Sequence, residues 1–147
     1  MILQFSSDST HQIIDTQQTD CCIVGGGPAG VLLSLLLARQ GISVTLLETH
    51  KDFDRDFRGD TIHPLTMEIM EELGLADRLL QLPHTKIDQL TLRTTEQDIS
   101  FSADFRHLKT HYPYITIMPQ ARFLEFLIDE AKQYPNFRLV LGANVQE

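Results

Sequence analysis

The chain of 147 residues has no tryptophan and only two cysteines. Cys21 and Cys22 are adjacent, and neighbours on a strand point to opposite faces, so they are badly placed to pair. There is no CxxC and no disulfide framework, which fits a reducing compartment and an expected cytoplasmic location. Basic residues are scarce: 12 Lys and Arg against 20 Asp and Glu give a formal charge of −8. That balance argues against a nucleic-acid binder and against an anionic membrane surface. Long apolar runs are missing too. The longest, Val31 to Ala38, is interrupted by Ser34 and falls far short of the roughly 20 residues of a membrane span. Residues 1–19 lack the basic start and apolar centre of a signal peptide. Metal-ligand spacing is equally poor. His107 and His111 stand four apart, but no Glu follows His107, and Pro113 opposes a helix there. They read as exposed loop histidines, and no metal is expected. No Ser/His/Asp arrangement has supporting context, so no residue is assigned a catalytic role.

What is present is the composition of one globular domain, with 42% hydrophobic and 22% charged residues. Residues 1–18 read as a polar tail, and residues 19–147 as the folded domain. Asp20 to Val24 is a short apolar run ending at glycines, which reads as a buried strand. Pro28 to Gln40 reads as a helix, with Pro28 tolerated in the first turn and Gly41 as its stop. Ile42 to Glu48 is a second strand. Strand, helix and strand make a right-handed βαβ unit with a parallel pair, and the first strand is expected at the centre of its sheet. A charged loop, Thr49 to Asp60, precedes a helix opened by Pro64. From Ile87 the period changes to two, and Ile87–Arg93 with Ile99–Phe105 reads as a hairpin. Tyr114–Met118 reads as a strand, Gln120–Gln133 as a helix, and Phe137–Leu141 as a strand. The fold class is therefore α/β: a Rossmann-like βαβ with a parallel sheet, plus an inserted antiparallel hairpin region.

The chemistry sits at Gly25-Gly26-Gly27-Pro28-Ala29-Gly30, a GxGxxG match. Glycine-rich turns are common, so the hexapeptide alone is weak. Here a strand precedes it, a helix and second strand follow, and an acid, Glu48, ends that strand 18 residues beyond Gly30. Each residue has its own reason. Gly25 permits the tight turn out of the strand. Gly27 lets a pyrophosphate approach the backbone. Gly30 lets the helix pack closely. The helix start offers N–H groups and partial positive charge to phosphates. Glu48 can accept hydrogen bonds from ribose hydroxyls, and its charge would repel a 2′-phosphate.

Three blocks resemble one family. Residues 19–30 with Glu48, then Phe57–Pro64 leading into Met67–Leu75, then Met118-Pro119-Gln120 with Phe123 and Leu127, look like FAD-dependent monooxygenases of the para-hydroxybenzoate hydroxylase type. The resemblance covers most of residues 20–147. It implies that Gly25 to Gly30, Glu48, Arg58 and Gln120 bind FAD, and that strands at about 87–118 begin a substrate domain. Read without it, Arg58 is a solvated charge among many, and Gln120 a polar residue at a helix start. The resemblance further implies NAD(P)H as co-substrate, O2 as oxidant and an aromatic or quinone-like substrate. Halogenating relatives are disfavoured by the lack of tryptophan.

The βαβ unit by itself does not separate FAD from NAD. An NAD-dependent dehydrogenase fragment and a non-catalytic dinucleotide-binding module therefore stand as alternatives, although the hairpins after residue 87 oppose the dehydrogenase. The chain is expected to be the N-terminal part of a longer flavoprotein, incomplete at its C-terminus, unable to hydroxylate alone, and prone to self-association.

Overall fold

The computed structural model describes residues 2–6, 13–53, 59–94 and 99–145. In chain order its elements are β1 (Ile2–Ser6), β2 (Ile13–Gln18), β3 (Cys21–Val24), α1 (Pro28–Arg39), β4 (Val44–Glu48), β5 (Thr61–Ile62), α2 (Pro64–Glu72), α3 (Ala76–Leu79), β6 (Thr85–Ile87), β7 (Gln89–Thr94), β8 (Ile99–Asp104), a 3-10 turn (Phe105–His107), β9 (Ile115–Ile117), α4 (Gln120–Ala131) and β10 (Phe137–Leu141). These fall into two units. One comprises residues 1–55 and 124–147, and the other residues 56–123.

The first unit is built on a three-stranded parallel sheet in the order β10-β4-β3. Val44 faces both Cys21 and Phe137, and the register continues to Leu47 opposite Val24 and Glu48 opposite Leu141. Every residue of β4 is buried, as a parallel strand covered on both faces should be. The expected central position of the first strand is therefore corrected. β4 takes the centre, and among the described residues β3 is an edge, with Val24 63% exposed. Pairing partners come from distant sequence, so a local apolar run cannot tell centre from edge.

α1 packs against this sheet through Val31, Ser34, Leu35 and Ala38, spaced three and four apart so that they form one stripe. Leu33 remains exposed, so the nearly all-round apolar helix buries chiefly one face. At the N-terminal edge of the sheet the Thr19 hydroxyl donates to Ser43 O at 3.0 Å. The Asn136 amide donates to Ala38 O at 2.9 Å and Ile42 O at 2.7 Å, tying β10's approach to the end of α1.

Residues 1–18 are not a plain polar tail. β1 and β2 pair antiparallel, Ile2 opposite Gln18 and Phe5 opposite Asp15. Ile2, Leu3, Phe5, Ile13 and Ile14 suit strands, and the serine-rich stretch between the strands hid that signal.

In the second unit, β5, β9 and β6 form an antiparallel sheet in that order. β5 is too short to be read from sequence. β7 and β8 form the expected hairpin, Gln89 opposite Asp104 through Thr94 opposite Ile99. Ile87, expected to open that hairpin, instead pairs with Ile115 in the other sheet. The unit's core holds Ile62, Met67, Met70, Leu79, Ile115 and Met118, all buried. Thr116 is also fully buried, and its hydroxyl has no hydrogen-bond partner among the described residues.

Candidate functional site

The three parallel strands of the first unit point the same way, so their C-terminal ends share one edge. Ligands bind at that edge in open α/β sheets. Gly25 leaves β3 with φ +104°, a backbone conformation that strongly favours glycine. Its N–H donates to Leu47 O at 2.8 Å, which keeps the turn against β4.

The glycines of the turn do different work. A Cβ on Gly30 would stand 2.1 Å from the carbonyl oxygen of Gly25. Gly30 is therefore required by the fold, because the first turn of α1 lies directly on the strand–helix turn. The expected close packing is present, with the Gly25 backbone as the neighbour. A Cβ on Gly26 would stand 2.9 Å from Glu48 Oε2. Gly27 is the opposite case: among the described residues a Cβ there meets nothing within 4 Å, and its φ of −76° suits any residue. No described atom explains a glycine at that place, whereas a ligand against the backbone would.

Gly27 is the N-cap of α1, no side chain among the described residues caps the helix, and Pro28 occupies its first turn. The first N–H groups of a helix have no partner within it. Together with the helix dipole they form a cradle for an anionic group.

Glu48, the last residue of β4, stands beside this cradle. It is 4% exposed. Its Oε2 accepts the Gly26 N–H at 2.5 Å. Its Oε1 accepts the His50 backbone N–H at 2.9 Å and faces the His50 ring Nδ1 at 2.6 Å. A carboxylate only accepts, so Nδ1 carries the proton of that bond. The structure thus brings Gly25 to Gly30 and Glu48 together at one edge. Buried acceptor oxygens next to an uncapped helix start are suited to a ligand carrying both hydroxyls and phosphates.

Gln120 lies in the second unit, as the first residue of α4, and is partly exposed. Arg58 falls outside the described residues. His107 and His111 are exposed, as expected. His107 lies 3.5 Å from Asp104, and His111 lies 2.9 Å from Glu71. Hydrogen bonding to Glu71, and its charge, raise the His111 pKa. No group of three potential metal ligands occurs among the described residues. Burial, then the neighbouring Cys21, push the Cys22 thiol up, which disfavours thiolate chemistry on β3.

Sequence reasoning missed His50 and Phe53. His50 follows the acid by two residues and reads as one more polar loop position. Phe53 is an apolar residue in a run of charges, a signal that could have marked it as anchored. It is 7% exposed, and its ring edge would lie 3.0 Å from a Cβ on Gly26. A groove of 380 Å³ bounded by Lys51, Phe53, Ile128, Lys132 and Leu141 includes no residue of the glycine turn.

Glycine turn, uncapped helix start and acid at the second strand's end define a nucleotide-binding βαβ edge. Residues 18–147 match the FAD binding domain family, and the chain belongs to it. The chain is 31% identical over 131 residues to 6-methylpretetramide 4-monooxygenase of Streptomyces rimosus, covering 89% of this chain and 31% of that protein. It is 33% identical over 98 residues to pentachlorophenol 4-monooxygenase of Sphingobium chlorophenolicum, covering 67% of this chain and 18% of that protein. The solved structure of OxyS anhydrotetracycline hydroxylase from Streptomyces rimosus superimposes with a TM-score of 0.71 at 26% identity. That match covers 86% of this chain and 24% of the other. The chain thus spans about a third or less of the proteins it matches. FAD is the dinucleotide of the family, and the open backbone at Gly27 fits its pyrophosphate. No helix among the described residues is long and apolar enough to cross a membrane.

Proposed function

We propose that this chain is the ADP-binding part of a flavin-dependent monooxygenase that hydroxylates an aromatic or quinone-like substrate with NAD(P)H and O2. One observation carries the cofactor half. Gly27, at the start of α1 and next to the Gly26 that bonds Glu48, faces open space, although nothing among the described residues requires a glycine there. The substrate half is supported by the names of the relatives, which are monooxygenases and hydroxylases of phenolic or polycyclic compounds.

In this reading the backbone of Gly25, Gly26, Gly27, Pro28, Ala29 and Gly30 cradles the FAD pyrophosphate, and the dipole of α1 offsets part of its charge. Glu48 accepts from the adenosine ribose hydroxyls, and its negative charge rejects a 2′-phosphate at that place. Arg58 and Gln120 are assigned to the cofactor as well, Arg58 by its fixed charge and Gln120 by its amide. When bound, FAD supplies the redox chemistry and the protein supplies position and electrostatics. A cytoplasmic location, where NAD(P)H is available, belongs to the same reading.

The test uses protein produced from the complete reading frame of its gene and loaded with FAD. A panel of phenols and polycyclic aromatics is supplied with NADH or NADPH in air. The expected result is substrate-stimulated NAD(P)H oxidation, matched by O2 uptake and by a product 16 mass units heavier. Bound FAD with NAD(P)H oxidation but no oxygenated product from any substrate would overturn the monooxygenase assignment.

A further inference from the structure

Glu48 ends a strand, and a glutamate side chain has three rotatable torsions, so its carboxylate needs partners to hold one orientation. Gly26 N–H fixes Oε2. Oε1 accepts twice from His50, from its backbone N–H and from its ring. The His50 backbone is itself anchored, because its carbonyl accepts the Gly142 N–H at 2.9 Å just beyond β10. Glu48 O likewise accepts the Ala143 N–H at 2.8 Å. The 48–50 turn is thus clamped to the end of the neighbouring strand. The ring bond is the shorter of the two on Oε1. The His50 side chain is 52% exposed and that of Glu48 only 5%, so the imidazole is the solvent-side partner of an otherwise enclosed carboxylate. A half-exposed ring adds little to the core. Among the described residues the ring bonds the acid that faces the ligand edge.

We propose that His50 is a positioning residue, whose ring N–H, bonded to Oε1, holds the Glu48 carboxylate in the orientation that receives the adenosine ribose hydroxyls of the bound dinucleotide. This rests on the FAD reading above. His50 acts through Glu48, and only on ligands that carry those hydroxyls.

The probes are ADP and 2′,3′-dideoxy-ADP, titrated calorimetrically into the 147-residue chain and its variants. Circular dichroism melts are run in parallel. The unaltered chain should prefer ADP. In His50→Ala, ADP affinity should fall about five- to tenfold, the net scale of one ordinary hydrogen bond. Dideoxy-ADP affinity should stay unchanged. His50→Asn, whose amide nitrogen can stand where Nδ1 stands, should restore the preference. His50→Gln, whose nitrogen lies a bond further out, should restore less. An equal loss for both nucleotides would show a merely structural role and overturn the proposal. So would a His50→Ala variant that discriminates as well as the parent, which leaves the FAD reading intact. Failure of the unaltered chain to bind ADP at all would overturn both.

Discussion

Replacing Gly30 with alanine separates what the fold requires from what a ligand requires. The added Cβ would lie 2.1 Å from Gly25 O and 3.3 Å from Gly25 C. A carbon–oxygen contact wants about 3.3 Å, so helix and turn must part by roughly 1 Å. Neither side yields easily. Gly25 is held by its bond to Leu47 O and by φ +104°. The first turns of α1 are held by Val31 and Leu35, at 0% and 1% exposure, and by the Ser34 hydroxyl donating to Gly30 O at 2.7 Å. Overpacking of this kind costs about 3 kcal/mol at the upper end of the usual range. Alanine regains about 1 kcal/mol of helix propensity. The net loss is about 2 kcal/mol, or about 5–10 °C in melting temperature for a domain of this size. Gly27→Ala is the control: its Cβ meets no atom of the described residues within 4 Å, and the stability should shift by no more than about 1 kcal/mol. Thermal unfolding followed by circular dichroism reads both. A Gly30→Ala variant that melts with the parent would refute the reasoning, as would a Gly27→Ala variant that melts like Gly30→Ala should.

Three further outcomes are expected. Leu46→Ala, at a fully buried site in the central strand, should cost about 2–5 kcal/mol in chemical denaturation; a change below 1 kcal/mol would contradict the buried position of β4. Thr116→Val should stabilise the second unit by about 1 kcal/mol, because it removes a buried hydroxyl without a partner among the described residues, and an unchanged or lower midpoint would count against it. The His111 pKa, raised from 6.5 by the Glu71 hydrogen bond and charge, means that this pair's contribution is fully present below the unfolded value. It fades as pH rises through the folded one. Proton NMR should place the His111 midpoint above that of an ordinary histidine and return it there in Glu71→Gln; a midpoint at or below 6.5 in the parent would sink the pairing.

The βαβ unit was legible because its signals are local. A glycine run, a proline at a helix start, a C-terminal glycine and an acid at fixed spacing all lie within 30 residues. The β7–β8 hairpin was legible for the same reason, through its period of two. What depends on distant partners was not. β10 comes from about 90 residues beyond β4 and makes it the central strand, so β3 falls to the edge. β5, two residues long, carries no period at all. At the site, the sequence pointed to Gly25, Gly27, Gly30 and Glu48, and the first and third meet their expected backbone constraints. The His50 bond to Glu48 forms on a backbone turn held by the Gly142 N–H from a distant part of the chain, which no spacing rule encodes. Arg58 lies outside the described residues, and its assignment rests on the family resemblance.

The central claim is that FAD lies against the backbone at Gly27, and one titration addresses it directly. FAD is added to the 147-residue chain and to Gly27→Val, with binding followed by quenching of flavin fluorescence and by the melting temperature. The account predicts saturable binding by the parent, with a melt that rises as FAD increases. It predicts that Gly27→Val, folded and within about 1 kcal/mol of the parent without ligand, loses at least tenfold in affinity, since its side chain enters the space proposed for the pyrophosphate. Equal FAD affinity in parent and variant would contradict it.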